Sequence, residues 1–157
     1  MNRITATLLA FAATALLAHP GDAFGQRNAL ERRLADATRI DCRFTTLATG
    51  TWEDEVPSAT VAPVDLEAAF FDINVDEGTA EAEGRFGATF IVVRYAHGYL
   101  HFMQMSDAGP LHLTTVLAQE TTDGRLKAVQ TRHEYSQTIL PGFTSRPEMY
   151  VGDCAVT

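Results

Sequence analysis

The chain is short of positive charge: 12 Lys and Arg stand against 20 Asp and Glu, a formal net charge of −8. Nucleic-acid phosphates and anionic lipid head groups are repelled by that balance, which removes nucleic acid from the expected partners. Cysteine is scarce, with only Cys42 and Cys154, and Trp52 is the single tryptophan. No apolar run reaches the roughly 20 residues a spanning helix needs, so no membrane insertion is expected. There is no Gly-x-Ser-x-Gly elbow, no phosphate-cradling glycine loop and no serine locally partnered by His and a carboxylate. Nucleophilic catalysis and nucleotide chemistry therefore lack their usual signatures, and neither enzymatic activity nor a cofactor is expected.

At the start of the chain, Arg3 gives one positive charge, Ile4 to Ala18 runs apolar, Pro20-Gly21 breaks the run, and Ala23-Phe24-Gly25 offers small residues at a peptidase site. Residues 1–25 read as a cleavable signal peptide, leaving residues 26–157 as one domain. The expected setting is periplasmic or secreted. Composition, at 46% hydrophobic and 20% charged residues, is that of an ordinary globular core.

An exported chain meets an oxidising compartment, and two cysteines allow a single intramolecular pairing, so a Cys42–Cys154 disulfide is expected. A loop that long is worth about 4–5 kcal/mol in the chain-entropy account.

Residues 27–39 carry apolar side chains at helical spacing, which predicts one short amphipathic helix. From Arg43 onward, short runs rich in Val, Ile, Thr, Phe and Tyr alternate with turn signals, the mark of an all-β domain. Strands are expected over 44–49, 68–75, 79–83, 88–95, 99–105, 111–119 and 125–135, with a closing strand near 149–154. Asp76-Glu77-Gly78, His97-Gly98 and Asp123-Gly124 supply hairpin turns, so the sheet is antiparallel. A disulfide between the first strand and the chain's end favours closure into a small barrel, with a sandwich as the alternative. The segments 52–58 and 141–147 are polar and proline-containing, and are expected to be surface loops.

The stretch Leu113-Thr114-Thr115-Val116-Leu117-Ala118, then Asp123-Gly124-Arg125, Ala128-Val129, Arg132-His133 and Tyr150-Val151-Gly152-Asp153-Cys154 resembles an uncharacterised family of small exported bacterial proteins. The resemblance covers the C-terminal third, more loosely Cys42 and Trp52, and implies export and a compact β domain without implying an activity. The paired cysteines and meander also resemble calycin-type binding barrels and periplasmic lysozyme inhibitors.

Several positions carry possible chemistry. Residues 51–83 hold ten carboxylates and no Lys or Arg, an acidic face or site. Within it, Asp72, Asn74, Asp76 and Glu83 fall at calcium-loop spacing, but Glu77 occupies the turn-glycine position, so an acidic hairpin is favoured over calcium. If the Asp123-Gly124 turn has two or four residues, His112 and His133 share one face, directly opposite or diagonal across the hairpin. Two imidazoles fall short of a zinc site, and no metal is expected. His101, between Leu100 and Phe102, reads as a buried hydrogen-bonded histidine, with Met103 and Met105 on its face. Trp52, at a strand-to-loop exit, would close a pocket or cap the barrel end.

Trp52, His101, His112 and His133 are thus the expected ligand-binding residues. The leading expectation is a non-enzymatic module that binds a small apolar or amphipathic ligand at the barrel mouth. The alternative is a protein partner, such as an extracellular hydrolase inhibited through the acidic stretch. An uncharacterised hydrolase ranks third.

Overall fold

In the computed structural model, backbone structure is described for residues 20–84, 87–105, 110–134 and 146–157. The predicted signal segment therefore lies largely outside the described residues, as does most of the predicted 141–147 loop. One helix, α1 (Pro20–Ala35), precedes eight strands: β1 (Ile40–Glu53), β2 (Val56–Asn74), β3 (Thr79–Gly84), β4 (Gly87–Ala96), β5 (Tyr99–Met105), β6 (Leu111–Glu120), β7 (Leu126–His133) and β8 (Glu148–Val156). Each strand pairs antiparallel with its neighbour in sequence, and β8 pairs back onto β1, so the meander closes into a barrel rather than a sandwich. Closure removes the two free edges that an open sheet of this length would expose.

The barrel forms because period-two alternation puts one set of side chains inside. Phe44, Val93, Leu100, Phe102, Val116 and Leu126 are all essentially inaccessible to solvent. Phe70 and Phe102 stack at the centre with ring centroids 4.1 Å apart and planes 8° from parallel. The helix ends at Ala35, four residues short of the predicted boundary, and packs against β5 and β6 with Leu34 fully buried. It stoppers one end of the barrel.

Cys42 and Cys154 lie directly opposite each other on β1 and β8, and their sulfurs are bonded at 2.04 Å. The disulfide therefore sits at the seam where the barrel closes. One residue beyond the next inward position, Thr45 has no register partner, a bulge on β1 that faces Gly152. Gly152 is required there: a Cβ built on it would stand 2.1 Å from the Arg43 carbonyl oxygen and 2.6 Å from the Phe44 Cα.

Two expectations about loops are revised. The segment 52–58 is not an irregular connection. It is the tip of a long β1–β2 hairpin, in which Trp52 pairs with Pro57 and Glu53 with Val56 across a two-residue turn, Asp54-Glu55. Both turn residues have positive φ, 49° and 66°, the geometry that matches strand twist, here adopted without the glycine that usually marks it. Pro57 and Pro63 are tolerated because β2 is an edge strand over that length, its ladder to β3 being confined to Phe70, Phe71 and Asn74. The second revision concerns the β6–β7 turn. Glu120 pairs with Leu126, so the loop holds five residues, closed by Thr121 N–H donating to the Arg125 carbonyl at 2.7 Å.

Candidate ligand-binding site

An odd-numbered loop reverses the parity on which the histidine pairing depended. His112 lies opposite Arg132, and His133 lies opposite Leu111 on the outer face, where it is exposed. The two histidines point to opposite sides of the sheet. His101 is also on the outer face, half-buried rather than enclosed, with Nδ1 2.9 Å from Thr115 Oγ1 and its ring parallel to that of Tyr99. Met103 and Met105 beside it are exposed, so this face of β5 is not covered as the apolar run implied. Trp52 is half-exposed at the tip of the β1–β2 hairpin, away from the barrel interior. Of the four residues expected to bind ligand, only His112 faces inward.

It has company there. Read from the α1 end, the inward positions run Leu100, Phe102, Gln104 on β5; Val116, Thr114, His112 on β6; Ala128, Gln130, Arg132 on β7; and Gly152, Tyr150, Glu148 on β8. Each strand passes from apolar to polar in the same direction. Cross-strand register then aligns Gln104, His112, Arg132 and Glu148 as one inner row, with Thr114, Gln130 and Tyr150 in the row beneath. The barrel thus has an apolar, helix-stoppered half and a polar half. Of these polar residues only His112 was expected to bind ligand; Thr114, Arg132 and Tyr150 stood only in the resemblance pattern, although the gradient is written in each strand once its inward parity is known.

The polar half is wired together. Glu148 is buried, and its Oε2 accepts from the Tyr150 hydroxyl at 2.6 Å and lies 3.6 Å from Arg132 Nη1. Arg132 also pairs with Glu134. Thr114 Oγ1 donates to Gln130 Oε1 at 3.3 Å. Burial, reinforced by the bond to Glu148 and by its charge, pushes the Tyr150 phenol up to about 12, so it stays protonated throughout the physiological range. Burial, then the neighbouring Arg132 charge, holds His112 below the ordinary histidine value, and the imidazole is neutral at pH 7.

A pocket of about 170 Å³ opens into this half. One wall is apolar, from Phe70, Phe102, Ile91 and Ala82; the other carries Gln104, His112, Thr114 and Gln130. Its entrance lies where the β2–β3 ladder stops at Phe70–Ala82, with Ala68 and Ala69 on one side and Glu83 on the other. The pocket is smaller than the several-hundred-Å³ cavity expected of a roomy binding barrel, because three phenylalanines, Phe44, Phe70 and Phe102, fill the centre.

Two larger depressions lie on the outside of the barrel. One of about 410 Å³ runs between α1 and the β5–β6 hairpin past Leu30, Tyr99 and Leu117. The other, about 850 Å³, crosses the outside of the disulfide seam, where Arg39 pairs with Asp41 and Arg125 with Asp153, and reaches the pocket entrance at Glu67, Ala68, Ala69 and Glu83. The calcium-spaced residues form the β2–β3 hairpin, where Asn74 Oδ1 accepts from the Glu77 N–H at 3.0 Å and Gly78 adopts positive φ. Among the described residues no group of three or more His, Cys, Asp or Glu is placed to hold a metal ion, and no helix is long and apolar enough to cross a membrane.

No family model, curated protein or solved structure matches the chain.

Proposed function

We propose that the protein is a non-enzymatic, exported binding module that takes up a small amphipathic molecule in the polar half of its barrel. The observation that carries this reading is the two-sided pocket: an aromatic and aliphatic wall facing a wall of hydrogen-bonding side chains, reached through the gap between β2 and β3. Such a combination buries the apolar part of a ligand and orients its polar part. Binding is favoured over catalysis because the groups around His112 are already committed. The Glu148 carboxylate serves Arg132 and Tyr150, the Tyr150 proton is held tightly, and the Thr114 hydroxyl is donated to Gln130. The disulfide supports an oxidising setting.

The test is native mass spectrometry of gently purified protein, followed by titration of a fragment library against the isotope-labelled chain. A co-purifying small molecule, or fragments that shift the resonances of Phe102, His112 and Gln130, is the expected result. A clean apo mass together with an interior that no fragment perturbs would remove the reading.

A second reading, recognition of a protein partner, is favoured by the β1–β2 hairpin. Its tip places half-exposed Trp52 and exposed Val56 beside Glu53, Asp54 and Glu55, an apolar centre with an acidic rim. A partner with a basic-rimmed cleft would associate more slowly as salt rises. Replacing residues 52–57 by a short Asn-Gly turn and comparing pull-downs with wild type and variant separates the two readings, since the barrel pocket is untouched.

A further inference from the structure

The charge pattern around the interior pocket narrows what it accepts. This inference rests on the reading of that pocket as a ligand site. Among the described residues the cations around it are engaged by carboxylates: Arg132 by Glu134 and Glu148, Arg39 by Asp41, and Arg43 by Asp65. Among the described residues an anionic ligand would therefore meet only cations that carboxylates already engage. A cation fares no better. The entrance carboxylates are exposed to water, Glu148 is taken up by Arg132 and Tyr150, and the inner wall at His112 has the Arg132 guanidinium directly alongside. A charge moved against the inner wall loses its hydration without gaining an uncommitted counter-charge there, which is among the most costly transfers in protein chemistry.

The neutral groups on the inner wall are complementary to something else. Gln130 uses its carbonyl oxygen to accept from Thr114, which leaves its amide N–H₂ to donate. His112, being neutral, presents one donor and one acceptor nitrogen, and the Gln104 amide directly opposite presents both kinds of group. That set suits a ligand with an adjacent acceptor and donor. The apolar wall, Phe70 and Phe102 with Ala82 and Ile91, suits the apolar body of a small ring. Size sets the last limit: a cavity of about 150 Å³ accommodates one benzene ring, and this one measures about 170 Å³.

We infer that the pocket is selective for an uncharged, planar, single-ring molecule bearing a carboxamide-type donor–acceptor pair, held between the Phe70–Phe102 stack and the Gln104, His112 and Gln130 wall.

Four probes of nearly one shape test this on the intact folded chain: benzamide, benzoate, benzamidinium and benzene, each titrated into isotope-labelled protein at pH 7.5. Benzamide should shift the side-chain amide signals of Gln104 and Gln130 and bind about tenfold more tightly than either charged analogue, the gap expected for about 1.4 kcal/mol of differential interaction. Equal or tighter binding of benzoate or benzamidinium at the same resonances would overturn the selectivity while leaving the pocket as a ligand site. Benzene binding as tightly as benzamide would show that the hydrogen-bonding wall is unused, and would also overturn it. Should none of the four, benzene included, perturb the interior, both the selectivity and the underlying site reading fall.

Discussion

The Tyr150 hydroxyl donates to Oε2 of Glu148 at 2.6 Å, joining two residues that β8 sets two positions apart on the inner wall. Burial, then the bond to Glu148 and its charge, disfavour the ionised phenol, so Tyr150 should titrate near 12, above the ordinary value of about 10. Its folded-state pKa is raised, and the sign of the linkage follows. The contribution to stability is complete below pH 10 and is lost as pH rises from about 10 to about 12, because the unfolded phenol gives up its proton first. Ultraviolet titration of wild type against Tyr150→Phe isolates this phenol, and the variant should unfold about 1–2 kcal/mol more easily in urea through loss of the bond to a charged acceptor. A Tyr150 midpoint at 10 would contradict the geometry.

Arg132 sits between His112 on one strand and Glu148 on the other. Replacing it by Met leaves Glu148, whose side chain is 4% exposed, without its cation. The expected cost is about 3 kcal/mol, mostly the penalty of an unpaired buried carboxylate, and a paired Arg132→Met, Glu148→Leu variant should recover most of it. Urea denaturation of the two variants gives the comparison. If the double variant is no more stable than the single one, the buried pair is not the origin of the loss.

His112 reports on the same cluster. Its folded pKa lies below 6.5 because of burial first and the Arg132 charge second, with Glu134 and Glu148 pulling the other way. A depressed histidine favours the folded state above the unfolded pKa, so stability should fall as pH drops from about 6.5 through the lower folded value. In Arg132→Met the His112 ring-proton titration should move upward, since one depressing influence is gone and the two carboxylates remain. An unchanged or lower midpoint would show that Arg132 does not act on His112.

Much of the architecture was legible because it depends on local chemistry. The hairpin turns at His97-Gly98 and Gly78 need positive φ, and glycine announces it. The barrel's closing pair was legible because two cysteines leave one pairing. What escaped was parity. The β6–β7 loop differs from a standard turn by one residue, and that moved His133 to the outer surface and brought Arg132 inside beside His112. The β1–β2 tip escaped because Asp54 and Glu55 take up positive φ without glycine, their turn being imposed by the two long strands rather than by local preference. The polar row at Gln104, His112, Arg132 and Glu148 was invisible for the same reason as the parity: it exists only as a cross-strand alignment of residues up to 44 positions apart, and no segment of sequence shows it.

The disulfide ties positions separated by 112 residues across the β1–β8 seam. Cys42→Ala together with Cys154→Ala, at a site where both side chains are buried and alanine fits, should cost about 4–5 kcal/mol, chiefly by freeing the unfolded chain. Because β1 and β8 also share a full ladder from Ile40–Val156 to Thr49–Glu148, the variant should keep its β-sheet circular dichroism while melting at lower temperature. Loss of all sheet signal in the variant would mean that the covalent link is needed for closure itself.

Gly152 gives the sharpest test of the seam. Gly78, Gly98 and Gly124 have positive φ, but Gly152 has no such need; it is required by space, with the Arg43 carbonyl and the Phe44 Cα both inside the volume a methyl group would occupy. Those are backbone atoms of the neighbouring strand, next to the Thr45 bulge, and cannot rotate away as a side chain could. Gly152→Ala must therefore push β1 and β8 apart or erase the bulge, and overpacking of this kind costs about 1–3 kcal/mol or more. The disulfide one inward position away resists the separation, so the strain should appear as a lowered melting temperature with the bridge still formed. A Thr45 deletion in the Gly152→Ala background would remove the bulge that forces the close approach, and partial recovery of the melting temperature is expected. If alanine at 152 is neutral by itself, β1 and β8 do not approach each other as closely as their paired register requires.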